Sequence, residues 1–322
     1  MRRNNREYER EPILVAGTGK LACSVAVCLV QAGHEVTLLT EAAPEAHRLC
    51  TTHVEDLRRE TAAEPVRTKL RILSTLAEAS GFALAIALPG ESLAAKQALL
   101  TRLEVLLTPT ATLALATEST PLPLLQQQAR YPARIVGANW VEPAHTTCFL
   151  ELVSNERTDP ERVKYLYALA QTAWKKDPYH LSHGEGIRYR LVSALVREAF
   201  YLVENGYASV EDIDRACRND AGYYLPFAGN CRYMDLMGTY AYGMVMKDLN
   251  RELANDQTVA RFFTEVLAQG GRGMENNAGL YTYPEGEAAA WEETCRTFSY
   301  QIQQLMEKYP FHYQEAEVPL NP

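Results

Sequence analysis

Three small residues near the start of the chain carry the strongest chemical signal. Gly17, Gly19 and Ala22 form the pattern GxGxxA, directly after the apolar run Ile13–Ala16. The first glycine permits a tight turn. The second lets the backbone approach a pyrophosphate, and the small third residue lets a helix pack closely on its strand. The first turn of that helix offers N–H groups to phosphate oxygens. Gly33 and a second β-type run, Val36–Leu39, follow, so Ile13–Thr40 reads as strand, turn, helix, turn, strand. In that context the pattern predicts a dinucleotide site, with contacts at Gly17, Thr18, Gly19, Lys20 and Leu21. Thr40 then stands where an NAD-type site places an acidic residue for the ribose, and Glu41 comes one step later. Two alternatives stay open. Either Glu41 reaches the ribose hydroxyls of NAD, the reading we favour, or Thr40 with His47 and Arg48 accommodates the 2′-phosphate of NADP.

The elements that must position this site continue the same pattern. Arg71–Leu73 is a short strand, and the unbroken apolar run Phe82–Leu88 suits a strand buried on both faces. It ends at Pro89-Gly90, and a helix follows from Glu91 to about Leu107. Ala111–Ala116, Ile135–Trp140 and Phe149–Val153 read as further strands. Strands alternating with helices predict a doubly wound parallel sheet, with ligands at the carboxyl ends of the strands. Gly17, Leu88, Pro89, Ser119 and Asn139 all fall at such ends. From Asp159 the spacing becomes helical, with Pro160 at a helix start, and Pro178–Leu181 is a short extended piece. From Tyr189 the chain reads as all-helical, with a capping box in form at Ser209 and Asp212. Further helices are expected over Tyr240–Glu252, Val259–Gln269 and Glu287–Lys308. The expected organisation is a frayed arm at 1–11, a Rossmann domain at 12–182 and a helical domain at 183–322.

The bulk composition narrows the function classes. The chain has 322 residues, 47% of them hydrophobic and 22% charged, with a net charge of -8. That balance suits a soluble globular protein and argues against a nucleic-acid partner. No apolar run approaches the length of a membrane span. The seven cysteines are scattered, with no CxxC pair, which fits reduced thiols in the cytoplasm. The start, MRRNNREYEREP, lacks an apolar core and reads as an arm rather than a signal peptide. No cluster has metal-ligand spacing.

Seven segments, taken in order, resemble the 3-hydroxyacyl-CoA dehydrogenase family. They are the GxGxxA unit, LPGESLAAK (Leu88–Lys96), TESTP (Thr117–Pro121), GANWVEPAHTTCFLELV (Gly137–Val153), Tyr189–Gly222, FAGNCRYMDLMG (Phe227–Gly238) and GRGMENNAGLYTY (Gly271–Tyr283). The resemblance implies NAD as cofactor and hydride transfer between nicotinamide and the 3-carbon of an acyl-CoA thioester in fatty acid metabolism. It also implies a homodimer formed through the helical domain. In the family a His takes the hydroxyl proton and a carboxylate orients it. Carried over residue by residue, Glu151 matches that carboxylate and Ser119 the substrate-contacting serine. Asn139 falls at the His position, and Tyr189, or its neighbour Arg188, at that of a catalytic Asn. The acidic residue expected after the fourth strand falls on Ala87. An amide is not a base at pH 7, so the substitute candidates are Glu151 itself, the Tyr189 phenol, His145, and His183 beside Glu185. The segment 41–81, shorter than in the family, suggests a smaller or different substrate, such as a non-CoA 3-hydroxy acid, or else a trimmed CoA clamp. An NAD(H)-binding protein that has lost the chemistry is the competing reading.

Overall fold

The computed structural model describes residues 11–61, 69–76, 81–184 and 186–309. The chain divides into two compact units between Tyr189 and Arg190. The first helix of the C-terminal region begins at Arg188. The proposed arm at 1–11 lies almost wholly outside the described residues, as does Glu185.

Among the described residues the N-terminal unit has eight strands: β1 (Ile13–Gly17), β2 (Val36–Leu39), β3 (Leu70–Leu73), β4 (Leu84–Leu88), β5 (Thr112–Leu115), β6 (Ile135–Asn139), β7 (Phe149–Val153) and β8 (Asp177–Leu181). They form one sheet in the order β3-β2-β1-β4-β5-β6-β7-β8. Helices α1 (Gly19–Gln31), α2 (Ala43–Thr61), α3 (Leu93–Leu106), α4 (Leu122–Gln126) and α5 (Pro160–Thr172) connect them. β4 is buried at every position, as its unbroken apolar run requires. Leu14 and Ala16 of β1, Ala85 and Ala87 of β4, and Leu113 and Leu115 of β5 form one core with Leu100 and Leu103 of α3. Strand order reverses between β1 and β4, so a crevice opens at their carboxyl ends.

Three expectations change here. The sheet is mostly parallel, but β7 runs antiparallel to β6. Only residues 140–148 join these strands, too few for a helical crossover. The extended piece near Pro178 is a full strand, β8, pairing parallel to β7. Ala87 lies wholly inside β4, pairing with Ala16 and Leu115; the acidic residue near that strand's end is Glu91.

The C-terminal unit is helical: α6 (Arg188–Glu204, beginning two residues before the junction), α7 (Val210–Ala216), α8 (Gly222–Met237), α9 (Thr239–Leu249), α10 (Arg261–Ala268) and α11 (Glu287–Lys308). The capping box is present at α7, with Ser209 and Asp212 each accepting the other's backbone N–H. In α6, Leu191, Val192, Leu195 and Val196 are all exposed, as are Met237, Tyr240 and Met244 of α8 and α9.

Candidate active site

The dinucleotide loop is built by close packing of β1 on β4. A Cβ at Gly17 would stand 2.5 Å from the Leu88 carbonyl oxygen, so only glycine fits. Gly19 has φ +78, with open space where a Cβ would be. Thr18 caps α1 in an extended conformation and makes no side-chain cap, which leaves the first-turn N–H groups available. Beside this turn is an open cleft of about 290 Å³, whose lining includes Thr18, Thr40, Glu41, Leu88, Pro89 and Arg102. Thr40 is buried, and its hydroxyl accepts the Ala42 N–H at 3.3 Å. The Glu41 carboxylate stands at the rim, 84% exposed and 3.6 Å from Arg102. The residues present fit NAD: a glycine cradle, a helix start beside it and the Glu41 carboxylate lining the same cleft. Lys20 and Leu21 sit in the first turn of α1, outside the cleft lining.

Across the sheet, strand register sets three polar side chains in one row. Asn139 of β6 pairs with Glu151 of β7, and Glu151 with Tyr179 of β8. Glu151 is fully buried. Its Oε1 accepts from Asn139 Nδ2 at 2.8 Å, and its Oε2 accepts from the Tyr179 hydroxyl and the Ile187 N–H, each at 2.8 Å. The Arg188 N–H adds a longer bond at 3.3 Å. The carboxylate therefore caps the start of α6, where negative charge is favoured. Burial pushes the Tyr179 phenol above its ordinary range, and its bond to Glu151 adds to the rise. A Cβ at Gly186 would overlap Glu151 Oε1, so this glycine makes room for the carboxylate. Asn139 Oδ1 accepts from the Thr117 N–H at 2.9 Å, the Thr117 hydroxyl at 3.2 Å and the Glu118 N–H at 2.9 Å. Tyr179 and Gly186 escaped sequence reasoning; the only signal was their position beside Glu151 once β8 is placed in the sheet.

That triple acceptance shapes the turn after β5. Glu118 takes φ +52, a left-handed conformation unusual for glutamate. Its Oε2 is buried with no hydrogen-bond partner. Burial first, and then neighbouring Glu91, raises its carboxyl to about 7, against the opposing effects of Tyr189 and Lys96. Burial, with Glu118 nearby, raises the Tyr189 phenol to about 12. Arg188 stacks over that ring at 4.9 Å. Lys96 is fully buried, donating to the Thr117 carbonyl at 3.1 Å and the Thr120 hydroxyl at 3.3 Å, and lies 3.9 Å from Glu91. Ser119, between them, is exposed. The structure thus joins Asn139 and Glu151 in one buried pair and places Tyr189 with Glu118, a residue the sequence reading passed over.

The substitute histidines fare differently. His145 is 5% exposed and packs on His53 with ring centroids 4.8 Å apart. Burial, with His53 and Lys176 adding, lowers it to about 3, too weak a base for neutral pH. His183 is exposed and hydrogen-bonds Ser182 at 3.2 Å. Among the described residues no group of three or more His, Cys, Asp or Glu side chains is arranged to hold a metal ion. No helix among them is long and apolar enough to cross a membrane.

Fold and cleft define the class: an NAD-binding α/β unit followed by a helical one. Residues 12–183 match the family model for the 3-hydroxyacyl-CoA dehydrogenase NAD-binding domain, and residues 187–283 match that of the C-terminal domain. The chain belongs to the 3-hydroxyacyl-CoA dehydrogenase family, and its cofactor is NAD. It is 30% identical over 187 residues to a 5-formyl-3-hydroxy-2-methylpyridine 4-carboxylate 5-dehydrogenase of Mesorhizobium japonicum, a match over 56% of this chain and 59% of that relative's length. It is 24% identical to a probable 3-hydroxybutyryl-CoA dehydrogenase of Bacillus subtilis, over 86% of this chain and 99% of the relative. A crystal structure of a 5-formyl-3-hydroxy-2-methylpyridine 4-carboxylic acid 5-dehydrogenase, described as an NAD+-dependent dismutase, shares the fold. Its TM-score is 0.86 at 24% identity, covering 92% of this chain and 98% of that one.

Proposed function

We propose that the protein is an NAD-dependent oxidoreductase that moves a hydride between NAD and the hydroxyl-bearing carbon of a small 3-hydroxy compound other than a CoA thioester. The observation that carries this reading is the intact cofactor cradle, in which Gly17 is held against Leu88 and Glu41 lines the cleft beside it. The relative named for a carboxylated hydroxypyridine supports the non-CoA substrate. NAD, when bound, accepts the hydride from the substrate carbon. The chain's residues then bind the pyrophosphate at Gly17–Gly19, select the ribose through Glu41 and hold the substrate near the turn Thr117–Thr120. Asn139 and Glu151 act by position: their polar atoms are engaged with one another, with Tyr179 and with the backbone. A place in fatty acid metabolism would require the CoA-bound forms as substrates.

The competing reading, an NAD(H)-binding protein without turnover, is favoured by the amide of Asn139 at the position the family resemblance gives to its catalytic His. NADH fluorescence titration together with NAD reduction over a panel of 3-hydroxyacyl-CoAs, free 3-hydroxy acids and hydroxylated aromatic carboxylates separates the two. Binding with turnover of a free acid supports the dehydrogenase reading; binding without turnover across the panel supports the other.

The helical unit supports a homodimer. Leu191, Leu195, Phe227, Leu236 and Tyr240 are each at least half exposed, an apolar extent that single chains seldom leave to water. Static light scattering should give twice the 36.1 kDa chain mass, and Leu195→Glu should shift it toward the monomer. A monomeric native protein would refute this assembly. None of the seven cysteines forms a disulfide, which supports a reducing compartment such as the cytoplasm.

A further inference from the structure

We propose that Glu118 is the residue that accepts the hydroxyl proton during hydride transfer, with Tyr189 beside it and Glu91 as the exit to solvent. The assignment rests on the dehydrogenase reading above. Glu118 stands at the carboxyl end of β5, next to that of β4, where ligands of such sheets bind. Its left-handed φ is held by Asn139, whose Oδ1 takes the N–H groups of Thr117 and Glu118. A non-glycine residue held in that conformation carries backbone strain of the kind that clusters at active sites. The turned side chain buries Oε2 with no hydrogen-bond partner, so the protein leaves that oxygen's lone pairs unsatisfied, which favours a proton on the carboxyl. The groups that face the carboxyl are Glu91, Lys96 and Tyr189. Together with burial they bring it to about 7, where a carboxyl can both take and release a proton at neutral pH.

The other candidates do not offer this. Both Glu151 oxygens are already engaged, accepting bonds from Asn139, Tyr179 and Ile187. His145 is buried and too weak a base. Glu91 is 72% exposed and lies 3.9 Å from the buried Lys96, which itself is fixed to Thr117 and Thr120. A proton on Glu118 therefore has a carboxylate neighbour in contact with bulk water.

The step balances. The substrate O–H bond breaks and its proton passes to the Glu118 carboxylate. The adjacent C–H bond breaks with both electrons, which reduce NAD+ to NADH, and a C=O bond forms. The proton then leaves through Glu91 to water. In this arrangement Asn139 is a positioning residue, fixing the turn that aims Glu118.

The test uses Glu118→Gln and Glu118→Asn, the latter because asparagine tolerates left-handed backbone. Infrared difference titration of the cofactor-free protein should show a protonated carboxyl that ionises near pH 7 and is missing from both variants. NADH affinity should stay within about threefold, while kcat falls on the order of 10²–10⁴-fold and loses its inflection near neutrality. Variants with native kcat and an unchanged inflection, or a native protein lacking the titrating band, would overturn the assignment and leave the dehydrogenase reading standing. A native protein that binds NADH, shows the band and reduces NAD with no member of the panel would overturn that reading and this step with it.

Discussion

Exchanging the two groups of the Asn139–Glu151 pair tests the buried row most sharply. In the native chain the carboxylate receives Asn139 at one oxygen and Tyr179 with Ile187 at the other, each at 2.8 Å. Glu151→Gln replaces one of those acceptors with an NH2 group. Whichever way the amide turns, a buried donor then faces a donor, and the start of α6 loses its negative charge. A buried unsatisfied group costs about 1–3 kcal/mol, and more where charge is involved, so a loss of about 3 kcal/mol is expected. Asn139→Asp instead sets two carboxyls at contact distance, and one must keep its proton. Its folded-state pKa then lies above the unfolded value, so the native state binds the extra proton. Stability is retained at low pH and lost as pH rises through that window, by roughly 2–4 kcal/mol at pH 7. The double variant, Asn139→Asp with Glu151→Gln, rematches every group. One oxygen of the carboxylate now on β6 keeps the Thr117 and Glu118 N–H groups, and the other accepts from the amide now on β7. The oxygen of that amide keeps Tyr179 and Ile187. The double variant should recover at least about 2 kcal/mol relative to the sum of the single changes. Urea unfolding of all four proteins at pH 7 measures this, and a coupling below about 0.5 kcal/mol, the range of independent sites, would refute the row as a hydrogen-bonded unit.

Single contacts give three more tests. Gly17→Ala sets a methyl 2.5 Å from the Leu88 carbonyl, a backbone atom that cannot yield; calorimetry should show a loss of roughly 1–3 kcal/mol, and NADH affinity should fall at least about tenfold. Because the Glu118 pKa is raised from 4.5 to about 7, its contribution to stability is present below the unfolded value and lost as pH rises through 7. Glu118→Gln should therefore gain roughly 1 kcal/mol over the native protein at pH 8, a figure reduced for partial solvent screening, and nothing at pH 4. Ser209→Ala removes the hydroxyl that accepts the Asp212 N–H on α7 and leaves the backbone N–H at 209 donating to Asp212; it should cost about 1 kcal/mol in denaturant unfolding.

Much of the scaffold was legible because it rests on local rules. The glycine turn, the apolar run of β4, Pro160 at its helix start and the capping residue Ser209 each declare an element within a few residues. The direction of β7 was not legible from composition, since an apolar strand reads alike in either direction; the short link 140–148 decides it. The site was only half visible. Asn139 and Glu151 stood out through family resemblance, but their mutual bond depends on the register of β6 and β7. Glu118 was hidden because what distinguishes it comes from distant parts of the chain: Glu91 and Lys96 before α3 and within it, Asn139 on β6, and Tyr189 on α6. His145 misled for the converse reason. A histidine near a strand end reads as a base until burial against His53 is seen.

The most direct measurement of the central claim follows the hydride itself. The protein is mixed with NAD+ and each member of the substrate panel deuterated at the hydroxyl-bearing carbon, and the mass of the nicotinamide product is read. For a small free hydroxy acid, the reduced cofactor should carry deuterium. Saturating NAD+ binding with no reduced cofactor from any panel member would contradict the dehydrogenase reading.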